Sequence, residues 1–379
     1  MTQASHKMPT SNAFQTQLRS IRSNHPGNLM ARHLDETYVE QLDPTARLRL
    51  WKIIKSGFEN PDSYMGAYAQ NCNDYEEFGT LLKPMIRDYH CIPPRQIITQ
   101  HHDWSSAYSK YRLQDIDPVL GDVSMRVRVG RNIAALPLPA AMSKIERVEF
   151  ELEMIKAFTV LMLDPDFGGT YLSITPGSSH AISAEEYSSR VDKHQIFRDM
   201  RQDRYLVSAG LASDWPYGRG IYISGLSDFM IWVGEEDHLR IMSMRKGGDL
   251  SGLFARLHQG LEKLDEILSA FAHSAQYGFL TSCPTNLGTA MRASLHLALL
   301  PPTALLDHKH NILGDMKKTA SSLGLAIRGS AGEHTGAGQN GIVDISPSAR
   351  LGVSESEVLQ CLFNGTAALW KLRKELTAN

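Results

Sequence analysis

Three adjacent carboxylates lie between two apolar stretches in the second half of the chain. Residues 229–233 (FMIWV) are bulky and apolar, which is typical of a buried strand, and Gly234 ends the run. Glu235, Glu236 and Asp237 follow directly, and Arg240 is the second residue of the next alternating run. Two strands joined by a carboxylate-rich turn, with an arginine beside it, could bind a cation and an anion. On this stretch alone, a solvent-exposed hairpin tip is the simpler interpretation.

Arginines in strand-like segments form a second unusual group. In residues 123–129 the odd-numbered positions are all apolar, whereas the even-numbered ones are Ser124, Arg126 and Arg128. Because side chains alternate between the two faces of a strand, both arginines point the same way, one pleat apart. Two guanidinium groups at that spacing suit the oxygens of a polyphosphate. A solvent-facing strand with unrelated arginines remains the alternative.

Further arginines and one cysteine complete the set. Arg292 and Arg328 lie in other strand-like segments, and Cys283 lies in a Ser-Cys-Pro-Thr turn, where the alternative is an ordinary half-buried thiol. Phosphoryl transfer needs charge neutralisation on the phosphates and alignment of the acceptor. Arginines could supply the first, and a carboxylate paired with a planar guanidinium could supply the second. The chain has no Walker-type or dinucleotide-binding glycine fingerprint.

The composition argues against several classes of function. With 379 residues, 42% of them hydrophobic and 21% charged, the chain is long enough for two domains and is typical of a globular protein. A formal net charge of −2 gives no reason to expect nucleic acid or an anionic membrane as a partner. The four cysteines form no CxxC pair, and no apolar run is of the signal-peptide or membrane-spanning type. We therefore expect a cytoplasmic protein.

The pattern of helices and strands divides the chain into three parts. Residues 1–25 are predicted to be a flexible extension, 26–112 a helical N-terminal domain, and 113–379 a larger body of strands and helices. Helices are predicted at 43–57, 76–89, 143–163, 249–271 and 354–376, the third with Ile145 and Leu152 in its apolar stripe. Ser354 and Glu357 form a predicted capping box. The pattern does not decide between a parallel and an antiparallel sheet.

Five segments, in this order, resemble one known family. They are SMRVRVGR (124–131), WPYGRGIY (215–222), EEDHLRIMSM (235–244), CPTNLGT (283–289) and RGSAGEHT (328–335). From residue 28 onwards the chain resembles the phosphagen (guanidino) kinases, and the arginine kinases among them most. The resemblance implies an α+β fold, with a small all-α N-terminal domain and a larger domain whose antiparallel β-sheet is flanked by helices (glutamine synthetase/guanidino kinase-like). We expect a monomer or a homodimer.

The resemblance also implies roles for residues of this chain. ATP or ADP would be bound by Ser124, Arg126, Arg128, His194, Arg240, Arg292 and Arg328. The catalytic residues would be Glu236, Cys283, Arg240 and Arg292. Glu236 would orient the guanidinium group, and the thiolate of Cys283 would lie against another of its nitrogens. Mg²⁺ would be held mainly by nucleotide phosphates and water, with Glu235 and Asp237 supporting its site without coordinating it directly.

The guanidino acceptor would lie under two lid loops, residues 58–68 and 329–342. The implied acceptor contacts are Ser63, Tyr64, Met65, Gly66 and Tyr68, together with Glu236 and Cys283. Backbone amides around Ser63 to Met65 would bind the acceptor's carboxylate, and Tyr68 would lie at its ammonium group. In this family a longer loop closes over a smaller acceptor, and this loop has the short, arginine-type length. Tyr64 and Met65 are bulkier than the small residues expected there, which leaves the acceptor open.

The implied reaction is reversible phosphoryl transfer from Mg-ATP to the guanidino group of L-arginine, which would buffer ATP. Three residues depart from the family pattern. Gly234 replaces the usual asparagine, Ala331 an arginine of many arginine-specific members, and Gly336 a second glutamate. The alternatives are another guanidino acceptor, such as a taurocyamine-like compound, and, because of Gly336, a catalytically impaired nucleotide-binding homologue. A protein-arginine kinase would not need the helical N-terminal domain.

Overall fold

The computed structural model describes residue 8 and residues 11–299, 312–329 and 341–378. The described α-helices are α1 (Ser11–Asn24), α2 (Leu29–His33), α3 (Glu36–Gln41), α4 (Pro44–Glu59), α5 (Asp74–Glu77), α6 (Gly79–Tyr89), α7 (Lys144–Met162), α8 (Ala184–Asp192), α9 (Arg204–Ser208), α10 (Leu250–Ile267), α11 (Ile312–Ser322) and α12 (Glu355–Ala378). The strands are β1 (Val123–Arg131), β2 (Gly169–Ser173), β3 (Gly220–Ser224), β4 (Phe229–Val233), β5 (Leu239–Gly247), β6 (His273–Ser274), β7 (Gly278–Phe279), β8 (Met291–Ala298), β9 (Leu325–Gly329) and β10 (Ile342–Pro347). None of these helices is long and apolar enough to span a membrane.

Eight of the strands form one sheet, in the order β2-β3-β4-β5-β1-β8-β10-β9. Every pairing in it is antiparallel. The odd-numbered residues of β1 are buried, and they pack in the main core with apolar residues of α7, α10 and α12. These helices cover one face of the sheet, so the opposite face carries Ser124, Arg126 and Arg128. The predicted fold class is confirmed.

The N-terminal helices build a second core, which extends into the larger part of the molecule. Leu50, Ile53 and Leu82 are fully buried in it, and Cys283 belongs to the same cluster. Residues 11–24, predicted to be part of a flexible extension, form α1 instead. That prediction was wrong because Phe14, Leu18 and Ile21 lie on one helical face and are almost completely buried (3%, 0% and 3% exposed). These three side chains anchor the segment to the core.

Two predicted helix boundaries also differ. The helix predicted to end at Gly57 runs on to Glu59, and the one predicted at 76–89 is interrupted at Phe78. Gly57 does not end its helix, because its role is close packing. A Cβ at this position would lie 2.5 Å from the carbonyl oxygen of Gly66, to which the Gly57 N–H donates a hydrogen bond. The glycine therefore lets the 58–68 loop fold back onto α4.

The apolar stripe predicted for α7 was wrong at Ile145 and Leu152, which are 69% and 59% exposed. The buried face carries Phe150, Met154 and Phe158 together with two charged residues, Arg147 and Glu151. Glu151 accepts hydrogen bonds from the hydroxyls of Tyr171, Ser173 and Thr175. A buried carboxylate needs such partners, and they belong to β2 and the segment that follows it, which the hydrophobic pattern of the helix does not register.

Candidate active site

Arginines converge on the open face of the three central strands. Arg240 lies on β5 opposite Gly130 of β1, and Arg128 of β1 lies directly opposite Arg292 of β8. Arg126 is one pleat further along β1 and shares its face. The alternation predicted from the sequence therefore brings four guanidinium groups, including that of Arg126, to neighbouring positions.

Two arginines of this cluster form ion pairs. Arg240 contacts the glutamates described below and Arg292 pairs with Asp344 at 2.7 Å, whereas Arg126 and Arg240 lie over the Trp232 ring system, 5.6 and 5.5 Å from a ring centroid. Burial, followed by repulsion from neighbouring arginines, lowers the pKa of Arg126 to about 10. The pKa of Arg128 is lowered for the same reasons. Such a cluster favours a bound polyanion.

The carboxylate turn between β4 and β5 is not a solvent-exposed hairpin tip. Arg240 contacts Glu235 at 2.8 Å and Glu236 at 3.2 Å, and the two glutamate side chains are only 12% and 17% exposed. Gly234 has φ of +72°, and a Cβ there would lie 2.4 Å from the carbonyl oxygen of Gly218. Glycine at this position is therefore required by backbone conformation and by close packing.

The protonation of Glu236 is set by opposing influences. Burial raises its pKa to about 7, with contributions from Asp237 and Glu235, while Arg240 opposes the increase. Although burial acts to lower the pKa of Arg240, the three carboxylates raise it overall. Glu236 can therefore exchange a proton near neutral pH, which is useful for a group that accepts one from a reacting nitrogen.

Asp237 points away from solvent. Its side chain is 4% exposed, and its Oδ1 accepts hydrogen bonds from Asn132 Nδ2 and from the N–H of Ser282, both at 2.7 Å. This geometry favours a structural link over the predicted support of a magnesium site.

Cys283 lies in the turn before residues 284–286 and is 5% exposed. Burial, and then the nearby Glu236, raise the pKa of its thiol to about 12, although Thr285 acts in the opposite direction with its hydroxyl 3.1 Å from the sulfur. The expected thiolate is therefore absent at neutral pH without a ligand. The physical reason is that the sulfur has a carboxylate as a neighbour and has lost its contact with water.

Two cavities meet on this face. The first, of about 850 Å³, is lined by Ser63, Tyr64, Met65, Tyr68, Glu236, Arg240, Cys283 and Arg328 among others. The second, of about 1000 Å³, is lined by Ser124, Arg126 and His194 among others. Arg128, Glu235 and Arg292 border both. The predicted nucleotide residues thus lie mainly beside one cavity and the predicted acceptor residues beside the other.

Gly66 lines neither cavity but shapes the loop that does. Its N–H donates to Ser63 Oγ at 3.0 Å, and its φ is +72°. The N–H of Ser63 already donates to the carbonyl oxygen of Asn60. The Ser63 amide, which was expected to bind an acceptor carboxylate, is therefore engaged within the loop.

Several residues of the site were missed in the sequence. Asp62 accepts hydrogen bonds from Arg204 and from the hydroxyl of Tyr205, and Asp62 and Tyr205 both line the first cavity. Arg350 lines the same cavity. Asp344 could have been found from the sequence, since it is a charged residue within the short strand-like segment IVDISP. Asp62 could not, because its partner Arg204 is 142 residues away in the sequence.

Three features of the predicted site lie outside the described residues. They are Ala331, Gly336 and most of the 329–342 loop.

Comparison with known proteins agrees with this geometry. Residues 24–87 match the ATP:guanido phosphotransferase N-terminal domain, and residues 150–376 match the C-terminal catalytic domain of the same family. The chain belongs to the ATP:guanido phosphotransferases.

Individual relatives differ in length and in named acceptor. The chain is 37% identical over 330 residues to an arginine kinase of Limulus polyphemus, covering 86% of this chain and 85% of that protein. It is 35% identical to an arginine kinase of Anthopleura japonica, covering 98% of this chain and 50% of that one. A duplicated taurocyamine kinase from Schistosoma mansoni superposes with a TM-score of 0.80 and 30% identity, covering 97% of this chain and 49% of that one. The chain thus spans about half the length of two of these relatives.

Proposed function

We propose that the protein reversibly transfers the γ-phosphoryl group of Mg-ATP to the guanidino group of L-arginine. The observation that carries the proposal is the meeting of the two cavities at Arg128, Glu235 and Arg292. A phosphoryl group at this junction would face the arginines on one side and an acceptor held at Glu236 and Cys283 on the other.

The arginines would neutralise the phosphates. Arg126 and Arg128, with Ser124 and His194, would hold the nucleotide, and Arg240, Arg292 and Arg328 would face the transferred group. The arginines are held by strands of one sheet, and some of them also by ion pairs. Little reorganisation of these side chains would therefore be needed as charge develops in the transition state. The cluster thereby offers electrostatic stabilisation of the transition state.

Glu236 would orient and deprotonate the acceptor. The nitrogen attacks the γ-phosphorus, the bond to the ADP oxygen breaks, and the nitrogen's proton passes to the Glu236 carboxylate. A pKa of about 7 suits this exchange. Arrival of the guanidinium cation would also favour ionisation of the nearby Cys283 thiol. Tyr68 would close the acceptor side of the cavity.

The nucleotide cavity also fits a magnesium ion that arrives with ATP. Asp344 and Glu235 border it, and the buried Oδ1 of Asp344 has no hydrogen-bond partner among the described residues. Among the residues that the structure describes, no three or more His, Cys, Asp or Glu side chains lie together in a way that could hold a metal ion by themselves. Mg²⁺ usually keeps several waters and binds through one or two carboxylates plus substrate phosphates. Bound in this way, it would add positive charge at the phosphate oxygens.

The acceptor assignment rests on the relatives and on the loop. The arginine kinases noted above support L-arginine. A second candidate is a guanidino compound with another anionic tail, since Arg350 lines the acceptor cavity and the Schistosoma neighbour is a taurocyamine kinase. Both candidates use the same transfer chemistry.

The test is a coupled assay of ADP release with Mg-ATP and, in turn, arginine, creatine, glycocyamine, taurocyamine or no acceptor. We expect turnover with arginine, and a loss of at least about 100-fold in E236Q, which cannot accept the proton. The exposed Glu149 on α7 provides a matched control, because E149Q makes the same chemical change away from the site. Turnover with taurocyamine alone would mean that taurocyamine, and not L-arginine, is the acceptor. ADP binding without turnover on any acceptor would contradict the proposal.

A further inference from the structure

The backbone of a single residue, Ser282, connects segments from both parts of the molecule. The carbonyl oxygen of Ser282 accepts a hydrogen bond from the N–H of Ala69 at 2.8 Å. The N–H of Ser282 donates to Oδ1 of Asp237 at 2.7 Å. Ser282 is fully buried, so both bonds lie away from competing water.

Each residue in this chain of hydrogen bonds is one position from an acceptor-side residue. Ala69 follows Tyr68, Asp237 follows Glu236, and Ser282 precedes Cys283. Tyr68, Glu236 and Cys283 all line the same cavity. Their relative placement therefore depends on backbone segments that are joined through Asp237.

Asn132 holds the Asp237 carboxylate in a fixed orientation. Its Oδ1 accepts from the N–H of His238 at 2.8 Å, and its Nδ2 donates to Asp237 Oδ1 and to the carbonyl oxygen of Leu280, at 2.7 and 3.0 Å. These partners permit only one orientation of the amide, because a backbone N–H must meet an oxygen and a carbonyl must meet a donor. Asn132 is 1% exposed.

Asp237 also lines the acceptor cavity, and its other carboxylate oxygen lies beside β1. A Cβ at Gly130 would lie 2.7 Å from Asp237 Oδ2, so the carboxylate packs against the backbone of β1. Asp237 is consequently bounded by β1, by Asn132 and by the loop that carries Cys283.

We infer that Asp237 and Asn132 are positioning residues, which hold Glu236, Cys283 and Tyr68 in register around the acceptor by joining their backbone segments. Neither residue is assigned contact with the substrate. The activity part of this inference rests on the proposed function. The competing role for Asp237 is electrostatic, through its charge near the magnesium nucleotide.

The two roles separate in a set of four variants. D237N removes the charge but keeps an Oδ1 that can accept from Asn132 and Ser282. D237A and N132A remove the link itself. Q100A is the matched control, since Gln100 is also a buried amide (7% exposed) and bonds the backbone of His101, Gly352 and Val353 away from the cavity.

We expect kcat to fall about 100-fold in N132A and D237A, because an ångström-scale displacement of reacting groups has an effect of that order. ADP affinity should be unchanged in both. D237N should lose less than about tenfold, since two neutral hydrogen bonds replace two charge-assisted ones and neither is lost. Q100A should lower the melting temperature as N132A does, with kcat retained. A loss in D237N as large as in D237A, or a raised Mg²⁺ requirement in D237N, would overturn the inference.

A second readout does not depend on turnover. The alkylation rate of Cys283, measured by mass spectrometry against the other three cysteines, reports on how firmly its loop is held. We expect it to rise about tenfold in N132A and to stay low in Q100A and D237N. Equal rates in N132A and Q100A would contradict the inference. If the wild-type protein turned over no acceptor, the proposed function would fail, and the alkylation rates alone would decide the positioning role.

Discussion

The two cavities are built in different ways. One wall of the nucleotide cavity carries side chains of adjacent strands, such as Arg126 on β1 and His296 on β8, whose register fixes them relative to one another. Residues between 191 and 206 form much of its remaining lining. The acceptor cavity is lined by loops from distant parts of the chain, including residues 62–65 and Cys283, joined through side chains and backbone hydrogen bonds. Strand register makes the sheet wall of the first cavity rigid, whereas the loops of the second can adjust by small changes in a few contacts. We therefore expect substitutions to affect the cavities unequally.

The largest effect should come from the shared arginines. R128A removes a cation at the junction of the cavities, and we expect kcat to fall at least about 1000-fold. The exposed Arg245 on β5 gives the control, because R245A removes the same side chain outside both cavities. Steady-state kinetics with saturating arginine measures the effect. A loss below tenfold would mean that the arginines on the strands do not provide the main electrostatic stabilisation of the transition state.

A smaller effect on activity should follow when a decrease in pH protonates Glu236 in the acceptor cavity. With the pKa of Glu236 raised to about 7, protonation as the pH falls removes the group that accepts the acceptor's proton. We expect kcat/KM for arginine to decrease roughly 30-fold between pH 8 and pH 5.5, with a slope of one below neutrality. ADP affinity should change much less, since Arg126, with a pKa of about 10, stays charged throughout this range. A flat kcat/KM profile would exclude Glu236 as the base.

The smallest effect is expected at the rim of the acceptor cavity. D62A removes the exposed contacts with Arg204 and with the Tyr205 hydroxyl. Exposed ion pairs contribute little, so we expect the KM for the acceptor to rise about threefold with kcat retained. E76A, which removes the exposed pair with Lys83 on the N-terminal helices, should leave KM unchanged. A large loss of kcat in D62A would show that the loop is as tightly constrained as the sheet.

The same contrast explains what the sequence could predict. Alternation in β1 is a local property, so the common face of Arg126 and Arg128 could be read directly from residues 123–129. The link between Asn132 and Asp237 joins residues 105 positions apart, and no local pattern specifies it. The antiparallel sheet and the placement of Cys283 beside Glu236 came from resemblance to a family rather than from periodicity.

The wrong predictions for α7 and α1 have the same cause, which is that contacts with distant segments decide which side chains are buried. In α7, Arg147 and Glu151 are buried because backbone oxygens and hydroxyls of other segments satisfy them. Hydrophobic periodicity assigns charged residues to solvent, so it placed Ile145 and Leu152 in the core instead. In α1, three apolar residues spaced by three or four were too few to be recognised without their partners.

The facing arginines of β1 and β8 have a consequence for the lifetime of the protein. Arg128 and Arg292 are directly cross-strand neighbours, and like charges in that position oppose folding. A bound polyanion relieves this repulsion only in the folded chain. The free energy of unfolding therefore increases with the logarithm of the polyanion concentration. The fraction of molecules open to proteolysis should therefore rise when nucleotide is depleted, which would link turnover of the protein to the energy state of its surroundings.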